Sequence, residues 1–458
     1  MGYVAQDGMK KVLFIAYHFH PDLEIGAVRS VKFAKFLPAF GWQAHVVSVH
    51  TDYYDRVETA PLPFHVAVER AGMWPTPLTF RRWVIRTFHA LASRLGPSHT
   101  ERIAGLAPPS PPSRVNGSLR RLLVQLFSTP DPYVGWLVPA VWLALKVARR
   151  EKADVIYTSG PPHTAHLVGL FASYLSGLPL VVDFRDPWTS RPGPSDPLDR
   201  GFFSFQRYLE SRLIRRASLV LTTTEDIAGA LCALHSLTPG TDCVAILNGF
   251  DADDFPAVQR HASTPAWQPV SFVYAGTLYG GRDPRPFLVA LGELMASSQI
   301  ASDAVTVDFY GPVEIETAPL QGVLDEYSLH EVVRFKPSVT RDNYLRVIGD
   351  ADALILIQGD DTPWAVPAKT FEYLATGNEI LLLAGSYALA GLLRDFPHAH
   401  RADVSDVPGI KACILGILER FASGTVDRAQ NARALSHLHK RELTREFAHR
   451  LDAVVTRR

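Results

Sequence analysis

Cysteine is scarce in this chain: Cys232, Cys243 and Cys413 are the three among 458 residues. Their spacing fits no metal-binding pattern and cannot build a disulfide framework, so a reducing cytoplasm is expected. Net charge is also missing, with 46 basic side chains against 46 acidic ones, which argues against a nucleic-acid binder. The uncharged stretch from Pro132 to Leu145 falls short of the ~20 residues needed to span a bilayer. Met1 to Lys11 is polar and leads straight into a strand-like run, so no secretory leader is expected. These absences point to a cytoplasmic protein attached at most to a membrane surface.

What is present is a series of short apolar runs without alternation, the pattern of strands buried on both faces of a parallel sheet. Val12–Ala16 is the first. A helical pattern through Val28, Val31, Ala34 and Leu37 follows it, closed by Gly41, and His45–Val49 reads as the next strand. Similar runs recur at Asp154–Ser159, Leu180–Phe184 and Ser218–Thr223. They return at Phe272–Ala275, Val305–Tyr310, Val332–Phe335, Ala353–Ile357 and Ile380–Leu383. Periodicity is lost from Asp251 to Pro269, where Asp, Pro, Ser, Thr and Gln are dense. The expected organisation is α/β with two parallel-sheet domains, residues 9–255 and 268–430, and a helical segment at 431–458 packing back on the first.

Residues 65–150 read as a helical, basic insertion in the first domain. Between positions 81 and 152 twelve Lys and Arg face only Glu101, Asp131 and Glu151. Phe80, Trp83, Val84, Phe88, Leu91 and Leu95 follow helical spacing, with Arg81, Arg82 and Arg86 off that stripe. Such a helix fits an anionic membrane surface, or equally an ordinary helix covering a sheet.

Candidate chemistry gathers at the carboxyl ends of the strands. Val366-Pro367-Ala368-Lys369-Thr370-Phe371-Glu372-Tyr373-Leu374, closed by Gly377, reads as one short helix. A lysine in its first turn opposes the helix dipole unless an anion docks there, and Glu372 is placed to accept from ribose hydroxyls. An exposed Lys–Glu pair is the bland alternative. Gly276-Thr277-Leu278-Tyr279-Gly280-Gly281-Arg282 is a glycine-rich turn before a helix capped by Asp283 and Pro284, suited to a phosphate with Arg282 beside it. In the first domain, Gly26 and Arg29 follow the first strand, but one glycine there is no GxGxxG fingerprint, which weakens an oxidoreductase reading. His163 and His166 follow another strand and offer a proton acceptor or a satisfied structural histidine. Asp183, Arg185 and Asp186 end a buried strand, where alternating charges need each other or a substrate. No Ser–His–Asp set or metal-ligand cluster stands out.

Six segments, YHFHPDLEIGAVRSVKFAKFLPAFGW, DVIYTSGPPHTAHLVG, VVDFRDPWTSRP, AILNGFD, YAGTLYGGRDPRPFLVAL and VPAKTFEYLATG, run in order from residue 17 to residue 377. As a set they resemble the retaining glycosyltransferases of family 4, or group 1, with the GT-B fold. The resemblance implies two Rossmann-like domains facing a cleft, with the donor held mainly by the C-terminal domain and the acceptor by the N-terminal one. It implies a retaining, metal-independent transferase that uses a nucleotide diphosphate sugar and needs no other cofactor. Glu372 matches the ribose-binding glutamate, Lys369 and Arg282 look like diphosphate partners, and Gly26 matches a loop that closes on the diphosphate. Arg29, Gly276, Thr277, Gly281 and Tyr373 fall in the donor-binding segments, and Asp183, Arg185 and Asp186 in the acceptor cleft. Two positions depart from the family pattern: Trp364 stands where its first motif glutamate would be, and Arg185 where many relatives carry histidine. The expected acceptor is a sugar or a lipid-linked hydroxyl in envelope or exopolysaccharide synthesis. The rival readings are a nucleotide-sugar 2-epimerase and a nucleotide-binding regulatory protein without turnover.

Overall fold

Each apolar run becomes a strand, and the central ones, such as Val155–Gly160, Leu180–Phe184, Ala353–Ile357 and Glu379–Leu383, are buried on both faces. A computed structural model describes residues 8–76, 125, 127–255, 268–359, 362–385, 388–394, 396–428, 431 and 435–457. By internal contacts the chain divides into two compact units: Met1–Thr222, Ile227–Ile246 and Thr444–Arg458, and then Thr223–Asp226 with Leu247–Leu443.

The first unit holds a seven-stranded sheet, all parallel, in the order β3-β2-β1-β4-β5-β6-β7. Its strands are β1 Lys10–Ala16, β2 Trp42–Val49, β3 Ala67–Ala71, β4 Val155–Gly160, β5 Leu180–Phe184, β6 Leu219–Thr222 and β7 Cys243–Ala245. Phe14 in the central β1 lies in register with Val46 on one side and Tyr157 on the other. The helices are α1 Ile25–Phe36, α2 Leu137–Glu151, α3 Thr164–Ser176, α4 Pro197–Arg216 and α5 Glu225–His235.

The second unit holds six parallel strands in the order β10-β9-β8-β11-β12-β13. They are β8 Val270–Ala275, β9 Val305–Tyr310, β10 Val333–Lys336, β11 Ala353–Ile357, β12 Glu379–Leu383 and β13 Ala399–Ala402. Among the described residues six helices accompany them: α6 Arg285–Ala296, α7 Thr317–Glu326, α8 Arg341–Asp350, α9 Ala368–Thr376, α10 Ala388–Leu393 and α11 Val407–Ala422. Alternate residues of one strand serve two cores. Phe272 and Tyr274 join Phe287, Phe309 and Ile414, whereas Val273 faces Leu354, Phe371 and Leu382. Gly377 ends α9 at φ +74°, and a Cβ there would meet the Arg428 carbonyl at 2.1 Å, so no other residue fits.

Strands β3, β7 and β13 have no counterpart in the apolar runs. All three close an edge of a sheet, and β3 (AVERA) and β13 (AHRA) carry charges there. An edge strand needs no continuous apolar face, and charge on it discourages pairing with other chains. The basic helix expected at residues 80–95 lies outside the described residues. No helix among the described residues is long and apolar enough to cross a membrane.

The last helix, α12 Lys440–Thr456, counts with the first unit from Thr444 onward. Phe447, fully buried, stacks on Phe33 with ring centroids 4.6 Å apart and touches Tyr157 at 5.0 Å. The Lys10–Asp452 pair beside it is exposed and contributes little. Phe447→Ala is therefore expected to destabilise the first unit by about 3–5 kcal/mol, read as a lower denaturant midpoint, with Asp452→Ala costing about 1–3 kcal/mol through the indole N–H of buried Trp42, which donates to it at 3.2 Å.

Candidate functional site

In the second unit, three strand ends bring backbone against backbone. β8 stops at Ala275 and the chain turns at Gly276, whose φ is +149°. A Cβ on Gly311, just after β9, would sit 2.5 Å from the Gly276 carbonyl oxygen. One on Gly359, after β11, would sit 2.5 Å from the Gly281 Cα. Only hydrogen side chains allow this approach, and the turn they shape leads into α6, where Asp283 accepts from the Arg285 N–H at 2.9 Å. Thr277 takes part through its carbonyl, which accepts from the Tyr274 hydroxyl at 2.9 Å.

Two cations occupy this turn. Lys369, in the first turn of α9, extends toward β8 so that its Nζ lies 3.9 Å from the Tyr274 ring centroid. It donates to the Ala275 carbonyl at 3.4 Å. The Arg282 guanidinium stacks over Tyr279, 4.5 Å from the ring centroid. Burial, with the nearby Arg282 adding to it, lowers Lys369 to about 7. Burial likewise pushes Tyr274 up to about 12, against the pull of Arg282. An ammonium over an aromatic face, its charge disfavoured by burial and by a guanidinium, gains from a neighbour of opposite charge. An anion entering the turn would supply one.

Lys369 and Glu372 do not pair. Glu372 turns the other way, toward α8, and accepts from Arg341 Nη2 at 2.5 Å and from the Tyr344 hydroxyl at 2.7 Å. Each carboxylate oxygen thereby uses one acceptor position and keeps another for a hydroxyl. Tyr373, expected among the donor contacts, is fully buried. Its hydroxyl accepts from the Ala275 N–H at 3.0 Å, so its part is to hold the residue before Gly276 in place.

The first unit builds a different object. Arg29 of α1 and Asp183 of β5 form a buried pair, Nε to Oδ2 at 2.7 Å and Nη2 to Oδ1 at 3.2 Å. Arg29 also donates to the Ile246 carbonyl at 2.8 Å, and the Tyr157 hydroxyl donates to Asp183. Arg29 thus serves to tie strand ends together and does not present its guanidinium to a ligand. Gly26 lies in the first turn of α1, not in a loop, and its missing side chain leaves room for Arg185: a Cβ there would meet Arg185 Nη1 at 2.4 Å. Arg185 donates to the Pro161 carbonyl, while Asp186 stands exposed beside it.

His163 begins α3, with its ring stacked on Trp188 at 4.7 Å and 7°. The start of that helix is already occupied by Asp131, which accepts from the Thr164 N–H at 2.8 Å and its hydroxyl at 2.7 Å. Burial, with His166 and Arg185 adding to it, holds His163 well below the usual imidazole range. Burial takes His166 to about 3. A ring whose cation is so disfavoured is a weak resting place for a proton.

Residues that sequence reasoning did not single out are Tyr274, Gly311, Gly359, Arg341 and Tyr344. Gly311 and Gly359 do stand just past strand ends, which is the one signal available. Trp364 lines a pocket of about 660 Å³ with Leu247, Val366, Leu392, Glu225 and Asp226. Among the described residues no three His, Cys, Asp or Glu side chains are grouped to hold a metal.

Residues 26–249 match the family model of the glycosyl transferase 4-like domain. No curated protein sequence matches the chain. Among solved structures, a glycosyltransferase from Rickettsia africae superposes with a TM-score of 0.59 at 10% identity, over 98% of this chain and 100% of that one. Anabaena HepE, solved with UDP and glucose, gives 0.58 at 14% identity over 97% and 100%. The sucrose-phosphate synthase of Thermosynechococcus elongatus gives 0.53 at 16% identity over 98% and 97%. At such identities the likeness is one of fold, two parallel-sheet α/β domains of the GT-B type.

Removing one member of the Arg29–Asp183 pair strands the other without compensation. Asp183→Ala should cost about 3–5 kcal/mol in an unfolding titration, and the Arg29→Ala/Asp183→Ala double variant clearly less than the two single losses combined.

Proposed function

We propose that this protein is a glycosyltransferase that moves a sugar from a nucleotide diphosphate sugar to an acceptor hydroxyl, with retention of anomeric configuration and without a metal. The observation that carries the reading is the paired cation, Arg282 with a Lys369 already poised near neutrality, at a glycine-shaped turn in the second unit. The match of residues 26–249 to a glycosyl transferase 4-like model and the GT-B fold support the reaction class. As the sugar–phosphate bond breaks, negative charge grows on the diphosphate. Arg282 and Lys369 stabilise it more in the transition state than in the ground state. Glu372 receives the ribose hydroxyls on the acceptor positions that Arg341 and Tyr344 leave open.

His163 is too weakly basic to keep a proton, so the departing phosphate oxygen takes the proton of the attacking hydroxyl, and the histidine packs the acceptor side. Asp186 and Arg185 meet the acceptor there, oriented by the Arg29–Asp183–Tyr157 network. The acceptor is a sugar or lipid-linked hydroxyl of envelope or exopolysaccharide assembly, and the protein works in the cytoplasm at the inner membrane face. Trp364 presents an indole where a carboxylate would hold donor hydroxyls, so the donor sugar meets an aromatic face on that side.

UDP, which HepE binds, is the first nucleotide to test. Lys369→Ala and Arg282→Ala should each lower turnover ~10²–10³-fold in a mass-spectrometric assay with a panel of nucleotide sugars. Unchanged turnover in a folded variant rejects the assignment, and donor consumption without acceptor points to an epimerase instead. The pH dependence has a definite sign. Lys369 loses its proton as pH rises through about 7, whereas a bound diphosphate favours the charged form. UDP affinity should therefore fall about tenfold per pH unit above that point, with uptake of close to one proton at pH 8. Calorimetry in two buffers of different ionisation enthalpy reads the uptake, and Lys369→Gln should abolish it.

A further inference from the structure

The helix α3 carries no Asp, Glu, Lys or Arg along its length; residues 164–170 are buried, and the helix reaches the surface towards its C-terminal end. Phe171, Tyr174 and Leu175 are exposed on it, Leu175 at 68%. Burial explains the uncharged first half, but three large apolar side chains exposed together at the other end form a patch not shaped for water alone. The helix α2 packs against it and exposes Val138 and Trp142, the latter at 66%. Between them runs a groove of about 840 Å³, lined by Trp142, Leu145 and Lys146 from one helix and by Leu175 and Ser176 from the other. On the third helix, α4, Phe205 and Tyr208 are exposed as well.

Charge surrounds this apolar strip and is predominantly basic. Across α2, α3 and α4 there are eight Lys and Arg against Glu151, Asp199 and Glu210, in a chain whose total charge is zero. Glu210 is buried against Thr189 and His235, and Glu151 is held by Lys11 and Arg150. The cations lie beside the aromatics: Lys146 Nζ is 5.7 Å from the Trp142 ring centroid. Arg216 is 5.4 Å from that of Tyr174 and donates to the Ser173 and Leu178 carbonyls at 3.2 Å.

We propose that the face formed by α2, α3 and α4 is a docking surface for an anionic lipid bilayer, with Trp142, Tyr174 and Leu175 entering the headgroup region and Lys146, Arg149 and Arg216 meeting lipid phosphates. The chemistry selects this partner. Amphipathic rings flanked by Lys and Arg suit a boundary that is apolar below and negatively charged above. A second copy of the same face would bring like cations together, so self-association is disfavoured. Nucleic acid would leave Leu175 and Val138 against a charged backbone. The assignment deepens the membrane part of the functional reading but needs no sugar transfer. It rests on residues other than the basic stretch at 80–95.

Vesicle flotation of the full chain tests it, comparing phosphatidylcholine with phosphatidylcholine containing phosphatidylglycerol at low salt. The chain should float with the anionic vesicles only, and added salt should release it. Lys146→Gln/Arg149→Gln should lower the partition about 30-fold. Trp142→Ala/Leu175→Ala should lower it about tenfold or more and blunt what survives at higher salt. All four positions are exposed or at the groove rim, so the unfolding midpoints should not move, and either pair alone suffices if the other variant misfolds. The proposal is overturned if neither pair changes flotation. It is equally overturned if Arg81→Glu/Arg82→Glu/Arg86→Glu abolishes flotation while both pairs leave it intact. A sedimentation dimer that both pairs dissociate, or single-stranded DNA binding lost in the same variants with no vesicle binding, would assign the face to another partner. UDP titration of the same variants keeps the two readings separate, because nucleotide binding should be untouched by them.

Discussion

A parallel strand covered on both faces has one place to show polar chemistry, its carboxyl end. The candidate chemistry at the strand ends follows from that constraint. The interior residues of β1, β4, β5, β8 and β11 are almost wholly buried and apolar, so variation there is limited to packing. Beyond their ends, the chain turns into Gly26, His163, Arg185, Gly276 and Gly359. The turns can be polar because loops outside the strand termini are where open α/β sheets meet ligands.

The two units use their strand ends differently. In the first, the charges are mostly consumed within the protein: Asp183 accepts from Arg29 and Tyr157, and Asp131 caps α3. A buried ion pair of this kind costs desolvation and returns a fixed geometry. In the second, the charges accumulate with one sign. Lys369 and Arg282 lie near Tyr274, whose hydroxyl donates to the Thr277 carbonyl, and Lys369 is lowered by burial first and by Arg282 second. The first arrangement is a frame; the second leaves a positive imbalance that an anion would offset.

The outer surface carries a third kind of information. Helical period assigns Phe171, Tyr174 and Leu175 to α3 without stating what they face. In a chain of balanced total charge, the basic surplus around them is local. Such a separation of charge and apolar area has a cost in solubility, which a partner surface would offset.

Much of this was legible from residue order alone. Unalternating runs located ten of the strands, and Pro367 and Gly377 bracketed α9 to within a residue, because burial on two faces and backbone dihedrals leave direct marks on composition. Edge strands β3, β7 and β13 left no such mark, since an edge needs no apolar run. The side-chain partners were not legible either. Arg29 and Asp183 lie 154 positions apart, and Arg341 and Glu372 lie on separate helices. Whether a conspicuous arginine ties two strands together or awaits a ligand depends on what the fold places within 3 Å of it. Local sequence determines which way a residue points; only the packing of distant segments determines what it meets.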